Sequence, residues 1–282
     1  MKPFILSVLF LLSINSNSQT NNAQAALYNI GLGGITSSIG AVLNKKPNEK
    51  LSKVLLKGFW QGALGGTIVY GSKQMVYNFH KNDKLQNIWS AKLVNSVGVS
   101  IIENAALNQN FYNKWHINIG FNRLEVDVKN NFKVQYKIMP IALTTAIISS
   151  TYGKFNFKLS TQTLTPVFIS NKLTSTFGVT VAISIIFYNS NRKIKHALAH
   201  EIIHVFQYDD YMVINVFFNK KKTKWKHHYN FINKSSKYIY MDLPSAITLR
   251  GLYLIENINQ SCYYDNYFEN EATFYSHKSK CK

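Results

Sequence analysis

Two hydrophobic rhythms run along the chain. Between Trp115 and Phe187, apolar residues recur at every second position. The runs are Ile117, Ile119 and Phe121; Leu124, Val126 and Val128; Val134, Tyr136 and Ile138; Phe155, Phe157 and Leu159; and Val179, Val181, Ile183, Ile185 and Phe187. A period of two places such side chains on one face of a strand, so each run predicts a half-buried β-strand. The parity changes between Phe121 and Leu124, which predicts a bulge or turn around Asn122. Polar turns at Asn130-Asn131 and Tyr152-Gly153-Lys154 separate the runs and favour antiparallel hairpins over parallel crossovers.

After Asn189-Ser190-Asn191 the period lengthens. Ile194, Leu198, Ile202 and Val205 recur at helical spacing, with Asn191 placed to cap the helix. A second helix is expected from Pro244-Ser245 toward Ile258, and a third from about Tyr263 to Ser276. Upstream, from Ala23 to Ala106, the chain is rich in small residues and helical in character, with Gly31, Gly33, Gly34, Gly58, Gly62, Gly65 and Gly66. Glycine at this density suits either close helix-helix or helix-membrane approach or tight turns between short helices. No apolar stretch in this region reads as long enough to span a bilayer. The expected class is α+β: an antiparallel sheet, then a helix from Asn191, then a C-terminal helix, preceded by a Gly-rich helical region.

The first residues follow a different pattern. Lys2, an apolar run from Phe4 to Leu12 and the polar stretch Ser13–Ser18 have the layout of a signal peptide. The predicted organisation is therefore a signal peptide over 1–18, a helical region over 19–110 and a catalytic-type domain over 111–282. Export to a periplasm, a cell envelope or the exterior is expected. In that setting Cys262 and Cys281, the only two cysteines, are expected to pair.

Composition changes this picture little. At 46% hydrophobic residues the chain can bury a core and is not of disordered type. The formal net charge of +19 would suit nucleic acid, but only Arg123, Arg192 and Arg250 are arginine and the lysines are scattered. Specific readers of DNA lean on arginine for paired contacts to guanine, so no nucleic-acid partner is expected. The local run Lys220–His228 suits either peripheral contact with a membrane or anionic envelope surface, or a solvated loop.

The candidate chemistry lies at His200-Glu201-Ile202-Ile203-His204. Residues four apart stack on one helical face, so both imidazoles can reach one metal ion. Glu201 beside them can deprotonate a metal-bound water. A catalytic zinc takes a third protein ligand from elsewhere. Downstream, Phe268-Glu269-Asn270-Glu271-Ala272 offers two carboxylates about 200° apart on a helix, so only one of them can face the metal.

With these two motifs the stretch from Phe177 to Ser276 resembles the zincin metallopeptidases whose third zinc ligand is glutamate, the gluzincins. The resemblance implies a Glu-x-x-Ala pattern that maps onto Glu269 and Ala272, with Glu271 as the alternative ligand. Many such families follow the alanine with aspartate, where this chain has Thr273. The metzincin pattern would need glycine and a third histidine after His204, where Gln207 and Asp210 stand, so Asp210 is a lesser candidate. His196 lies one turn before His200. An oxyanion-stabilising group is also required, and Tyr208, Tyr211, Tyr263, Tyr264 and Tyr267 are not separable in the sequence. The function expected is an exported zinc-dependent hydrolase acting on a peptide or protein, with Glu201 as base. The alternative is an envelope or binding protein of zincin type that holds zinc without turnover.

Overall fold

The glycine-rich region folds as three long helices, α1 (Asn22–Leu43), α2 (Leu51–Lys81) and α3 (Ile88–Ala106). Asn21 starts α1, its side chain accepting from the Gln24 amide at 2.9 Å. Close helix approach, rather than tight turns, accounts for the glycines. A Cβ on Gly62 would lie 2.2 Å from the Gly33 carbonyl oxygen, and one on Gly98 would lie 2.7 Å from that of Gly65. The three backbones therefore touch directly, which only glycine permits. The expectation that nothing here reaches spanning length is corrected by α1. At 22 residues and a mean hydropathy of 1.3 it is long and apolar enough to cross a membrane, although 44% of its apolar window is buried within the protein.

The structure, a computed structural model, describes residues 21–129, 132–171, 178–188, 191–258 and 262–276. The signal-peptide reading of 1–18, the Asn130-Asn131 turn and the Cys262–Cys281 pairing, through Cys281, fall outside the described residues. Strands β1 (Lys114–Ile119), β2 (Asn122–Asp127) and β3 (Lys133–Ile138) make an antiparallel sheet in that order. The turn falls where the parity change placed it, at Gly120-Phe121, with Gly120 at a φ of 55°. Helix α4 (Pro140–Tyr152), β4 (Lys154–Phe155), α5 (Phe157–Thr163), β5 (Val167–Ser170), β6 (Gly178–Val181) and β7 (Ser184–Tyr188) follow. The second sheet has the order β4-β5-β7-β6, so the fold is mixed α+β as expected.

Three strand expectations are corrected. The run Phe155, Phe157, Leu159 is strand only at Lys154–Phe155, because the Asn156 side chain accepts from the Leu159 amide at 3.0 Å and starts α5. The run Val179–Phe187 is a hairpin, not one strand. Val181 pairs with Ser184 around a turn in which Ala182 takes a φ of 53°, a position where the sequence carries none of the usual Gly or Asn signal. The preference for antiparallel pairing fails once, at β5 and β7, which run parallel because β6 folds out to the sheet edge.

Helix α6 (Asn191–Asp210) carries the motif, and short helices α7 (Ile214–Phe217), α8 (Asn219–His228) and α9 (Asn230–Ser235) lead to α10 (Leu243–Ile258) and α11 (Tyr267–Ser276). Leu198, Ile202 and Val205 share one core with Val167, Ile185 and Phe187 of the sheet, Val76, Ile88 and Ala91 of α2 and α3, and Ala272 and Tyr275 of α11. The helical region of 19–110 and the motif helix are thus packed into the same interior. That burial is the main driving force for their association.

The first sheet buries its polar face. His116, Asn118, Arg123 and Glu125 are buried, whereas Ile117, Ile119, Leu124 and Val126 are half-buried. Arg123 reaches Glu103 at 2.6 Å and Glu125 at 2.8 Å and lies over the Tyr240 ring, so its charge is matched on every side. Burial, with the Arg123 guanidinium beside it, pushes the His116 pKa down to about 4 against the pull of Glu103. The unfolded chain takes up that proton near pH 6.5 and the folded one does not until about pH 4. His116 therefore contributes stability that is complete above pH 6.5 and lost as pH falls toward 4, about 3 kcal/mol. Urea titrations at pH 7 and pH 4.5 should show this loss in the native chain and not in His116→Gln; an equal loss in both would refute the assignment.

Candidate metal centre

Helix α6 brings His200 and His204 one turn apart on the side that meets α11. Their Nε2 atoms lie 3.2 Å from each other. Glu269 enters from the first turn of α11, its Oε2 3.1 Å from His200 Nε2 and 3.4 Å from His204 Nε2. His200 and Glu269 are buried and His204 is partly exposed. The approach of the two helices depends on a small residue, Ala272, which is fully buried in the cluster that contains Ala199 and Ile202. The start of α11 is set by Asn266, whose side chain accepts from the Phe268 amide at 2.9 Å and donates to the Tyr253 carbonyl at 3.1 Å.

Among the described residues, His200, His204 and Glu269 form a group able to hold a metal ion, with one ligand atom from each within 4.8 Å of the others. The donor set of two imidazoles and a carboxylate fits a divalent cation of borderline softness. Burial favours the neutral form of Glu269, but hydrogen bonds from His200 and His204 outweigh it and hold the carboxyl far below its usual range. Burial likewise opposes a charge on His204, yet the hydrogen bond and charge of Glu269 win and push its pKa up to about 9.

Behind His204, the side chain of Gln207 fixes the ring. Its Oε1 can only accept, so the 2.9 Å contact makes His204 Nδ1 the donor and leaves Nε2 turned to the triad. The Gln207 amide is itself held by the Phe268 carbonyl and by Glu271 Oε2, both at 2.9 Å. Glu271, the alternative ligand, faces away from the triad as its helical angle requires. It accepts from Lys73 at 2.9 Å and from Asn29 at 3.3 Å. Asp210 also turns to Lys73, at 2.8 Å, and does not reach the triad. Burial, only partly offset by Lys73, pushes the Asp210 pKa up to about 6.

Glu201 lies about 100° round the helix from His200 and turns toward β6, with its charge still near enough to act on His204. The Thr180 hydroxyl donates to its Oε2 at 2.8 Å and to its backbone carbonyl at 3.1 Å. Gly178 makes room for this, since a Cβ there would come within 3.0 Å of Glu201 Oε1. Among the described residues β6 is the last strand of its sheet, so Glu201 lies beside a sheet edge.

The tyrosines now separate. Tyr253 donates to Glu269 Oε1 at 3.0 Å, and Tyr263 hydrogen-bonds the same carboxylate. Burial and the Glu269 charge raise both phenols. Tyr208 is spent on Asp242 at 3.0 Å, and Tyr211 and Tyr267 lie in a core beside Phe268. The His196 side chain is outside the described residues. An apolar cavity of about 530 Å³, lined among others by Phe121, Leu143, Ile147 and Phe168, contains none of the triad.

Sequence reasoning missed Lys73, Thr180 and Tyr253. Only Lys73 left a sign, as a charge on the apolar stripe Val69–Val76 of α2. Thr273, found where many gluzincin families have aspartate, is buried and its hydroxyl has no partner among the described residues; the support behind His204 comes from Gln207, itself held by Glu271. No protein-family model, no characterised protein and no solved structure matches the chain.

Proposed function

We propose that the chain is an exported zinc-dependent hydrolase of peptide bonds, of gluzincin type, with His200, His204 and Glu269 as metal ligands and Glu201 as general base. The observation that carries this reading is the triangle of ligand atoms, with sides of 3.1, 3.2 and 3.4 Å. Tetrahedral zinc with bonds of about 2.0–2.1 Å separates its ligand atoms by roughly 3.3–3.4 Å. Three protein ligands leave a fourth position open, as catalytic zinc requires and closed structural sites do not.

When bound there, zinc lowers the pKa of a coordinated water to about 7 and polarises a carbonyl group. Glu201 takes the proton from the attacking water as its oxygen bonds to the carbonyl carbon, then returns it to the departing amine as the C–N bond breaks. Thr180 holds the Glu201 carboxylate in one orientation for both transfers. Tyr253 and Tyr263 both hydrogen-bond Glu269 and fix the ligand carboxylate, and Tyr263, the more exposed of the two, would leave that bond to donate to the developing oxyanion. A peptide is the substrate that suits β6, because an extended chain can add to a sheet edge and β6 is the last strand among the described residues.

Elemental analysis tests the metal assignment. The native chain should carry about one zinc, His200→Ala and Glu269→Ala should carry essentially none, and Glu271→Gln should keep it. A zinc-free native protein, or loss of zinc in Glu271→Gln with retention in Glu269→Ala, would overturn the ligand set. Zinc bound without cleavage of any member of a peptide library would favour the non-catalytic envelope or binding protein instead.

A further inference from the structure

Helix α2 is inverted on its outward side. Its inner face packs Val54, Gly58 and Gly62 against α1, with Gly58 so close that a Cβ would meet Ala41 and Ser38 at 3.0 Å. The opposite face carries Leu56, Trp60 and Leu64, spaced four apart and therefore in line. All three are exposed, Trp60 at 69%. Lysines border the row: Lys53 and Lys57 run alongside on the same face, and Lys50 precedes Leu51.

A second segment adds to this pole. The Lys220 ammonium donates to the Lys45 carbonyl at 2.8 Å, and the Asn44 side chain to the Val216 carbonyl at 3.1 Å. These contacts seat the beginning of α8 beside the α1–α2 turn. Lys46, Lys50 and Lys53 thus share one end of the molecule with Lys220 and Lys224, and exposed Trp225 lies next to Lys224, while the Lys45 ammonium is held by the Lys46, Pro47 and Glu49 carbonyls. In the two segments 45–60 and 219–228 the one carboxylate is Glu49, which is tied to the Lys46 amide at 2.8 Å and to Asn108 at 2.6 Å.

We infer that this pole, the outer face of α2 with the start of α8, seats the protein on an anionic lipid bilayer, with Leu56, Trp60 and Leu64 entering the interface and the lysines meeting the headgroups. A polyanion alone would need the lysines but not an exposed row of Leu and Trp. A neutral protein partner would use the row but not the lysines. The combination of a basic border and an apolar, Trp-bearing centre is the signature of a helix lying in a membrane interface. The inference is independent of the hydrolase reading, since none of these residues touches the metal centre.

Flotation of the full chain with vesicles of phosphatidylglycerol and phosphatidylcholine in equal parts, and of phosphatidylcholine alone, tests it. The native chain should float with the anionic vesicles, and less so at high salt. Lys50→Gln with Lys53→Gln should weaken that binding by about 25-fold, roughly fivefold for each lysine. Leu56→Gln with Trp60→Gln should weaken it by about tenfold or more. All four positions are exposed, so circular dichroism should be unchanged. Failure of the native chain to bind, or anionic binding that both double variants retain in full, would overturn the proposal. Binding lost only in the lysine variant and competed away by heparin would assign the surface to a soluble polyanion and also overturn it.

Discussion

Glu201→Gln should keep its zinc and lose peptide cleavage by a factor of about 10² to 10⁴, the range expected when a positioned general base is removed. The substitution is a clean one here. Glutamine has the same shape, and its side-chain oxygen can still accept from the Thr180 hydroxyl that now reaches Glu201 Oε2 at 2.8 Å. The change therefore removes the proton acceptor and little else. The readout is zinc content together with turnover on a quenched fluorescent peptide pool. Retained zinc with turnover near the native rate would eliminate Glu201 as the base and, with it, the hydrolytic mechanism proposed above. Loss of zinc together with activity would show that Glu201 holds the site together rather than acting in the reaction.

The second large effect is on stability. Lys73→Met should destabilise the fold by about 3–5 kcal/mol, because it leaves two buried carboxylates without a counter-charge. Lys73 is 1% exposed and contacts Asp210 at 2.8 Å and Glu271 at 2.9 Å. It ties α2 to the end of the motif helix and to α11 at the same point. Burial costs this lysine, but the two carboxylates more than compensate and hold its pKa above the usual lysine range. The effect should be reversed largely by Lys73→Met combined with Asp210→Asn and Glu271→Gln, which removes both orphaned charges. Urea unfolding of the three proteins measures this. A single variant as stable as the native chain, or a triple variant no better than the single, would refute the charge argument. The same substitution should also loosen Gln207, which Glu271 holds against His204, so its zinc affinity is expected to fall by about 10- to 100-fold.

Much of the architecture was legible because it depends on short-range periodicity. The helix of α6, the helices of α10 and α11 and the hairpin turn near Asn122 follow from spacings of two and of three to four residues, which local backbone geometry alone imposes. Two of the three corrected strand expectations arose where a local signal was weak or overridden. Asn156 capped a helix inside an alternating run, and Ala182 made a turn without glycine. A β7 buried on both faces then blurred the alternation that would have marked the break, since Ser184 through Phe187 are all buried.

The sequence by itself determined which groups could do chemistry. His200, Glu201 and His204 sit within five residues of one helix, so their mutual placement needed no tertiary information. The resemblance to a Glu-x-x-Ala pattern favoured Glu269 with Glu271 as the alternative, but spacing alone does not separate two carboxylates on one short helix that differ only in which way it is turned. In the fold Glu269 is turned to His200 and His204, whereas Glu271 is turned to Gln207 and to Lys73 of α2, a partner far from the motif in sequence. The same holds for the first sheet. Alternation identified the strands, but the buried face proved to be the polar one, since Glu103 of α3 meets Arg123 at 2.6 Å and Lys92 meets Asp209 at 2.6 Å, beside Asn118. A pattern along the chain reports that two faces exist; which of them is enclosed depends on partners far away in sequence, and only the folded structure supplies those.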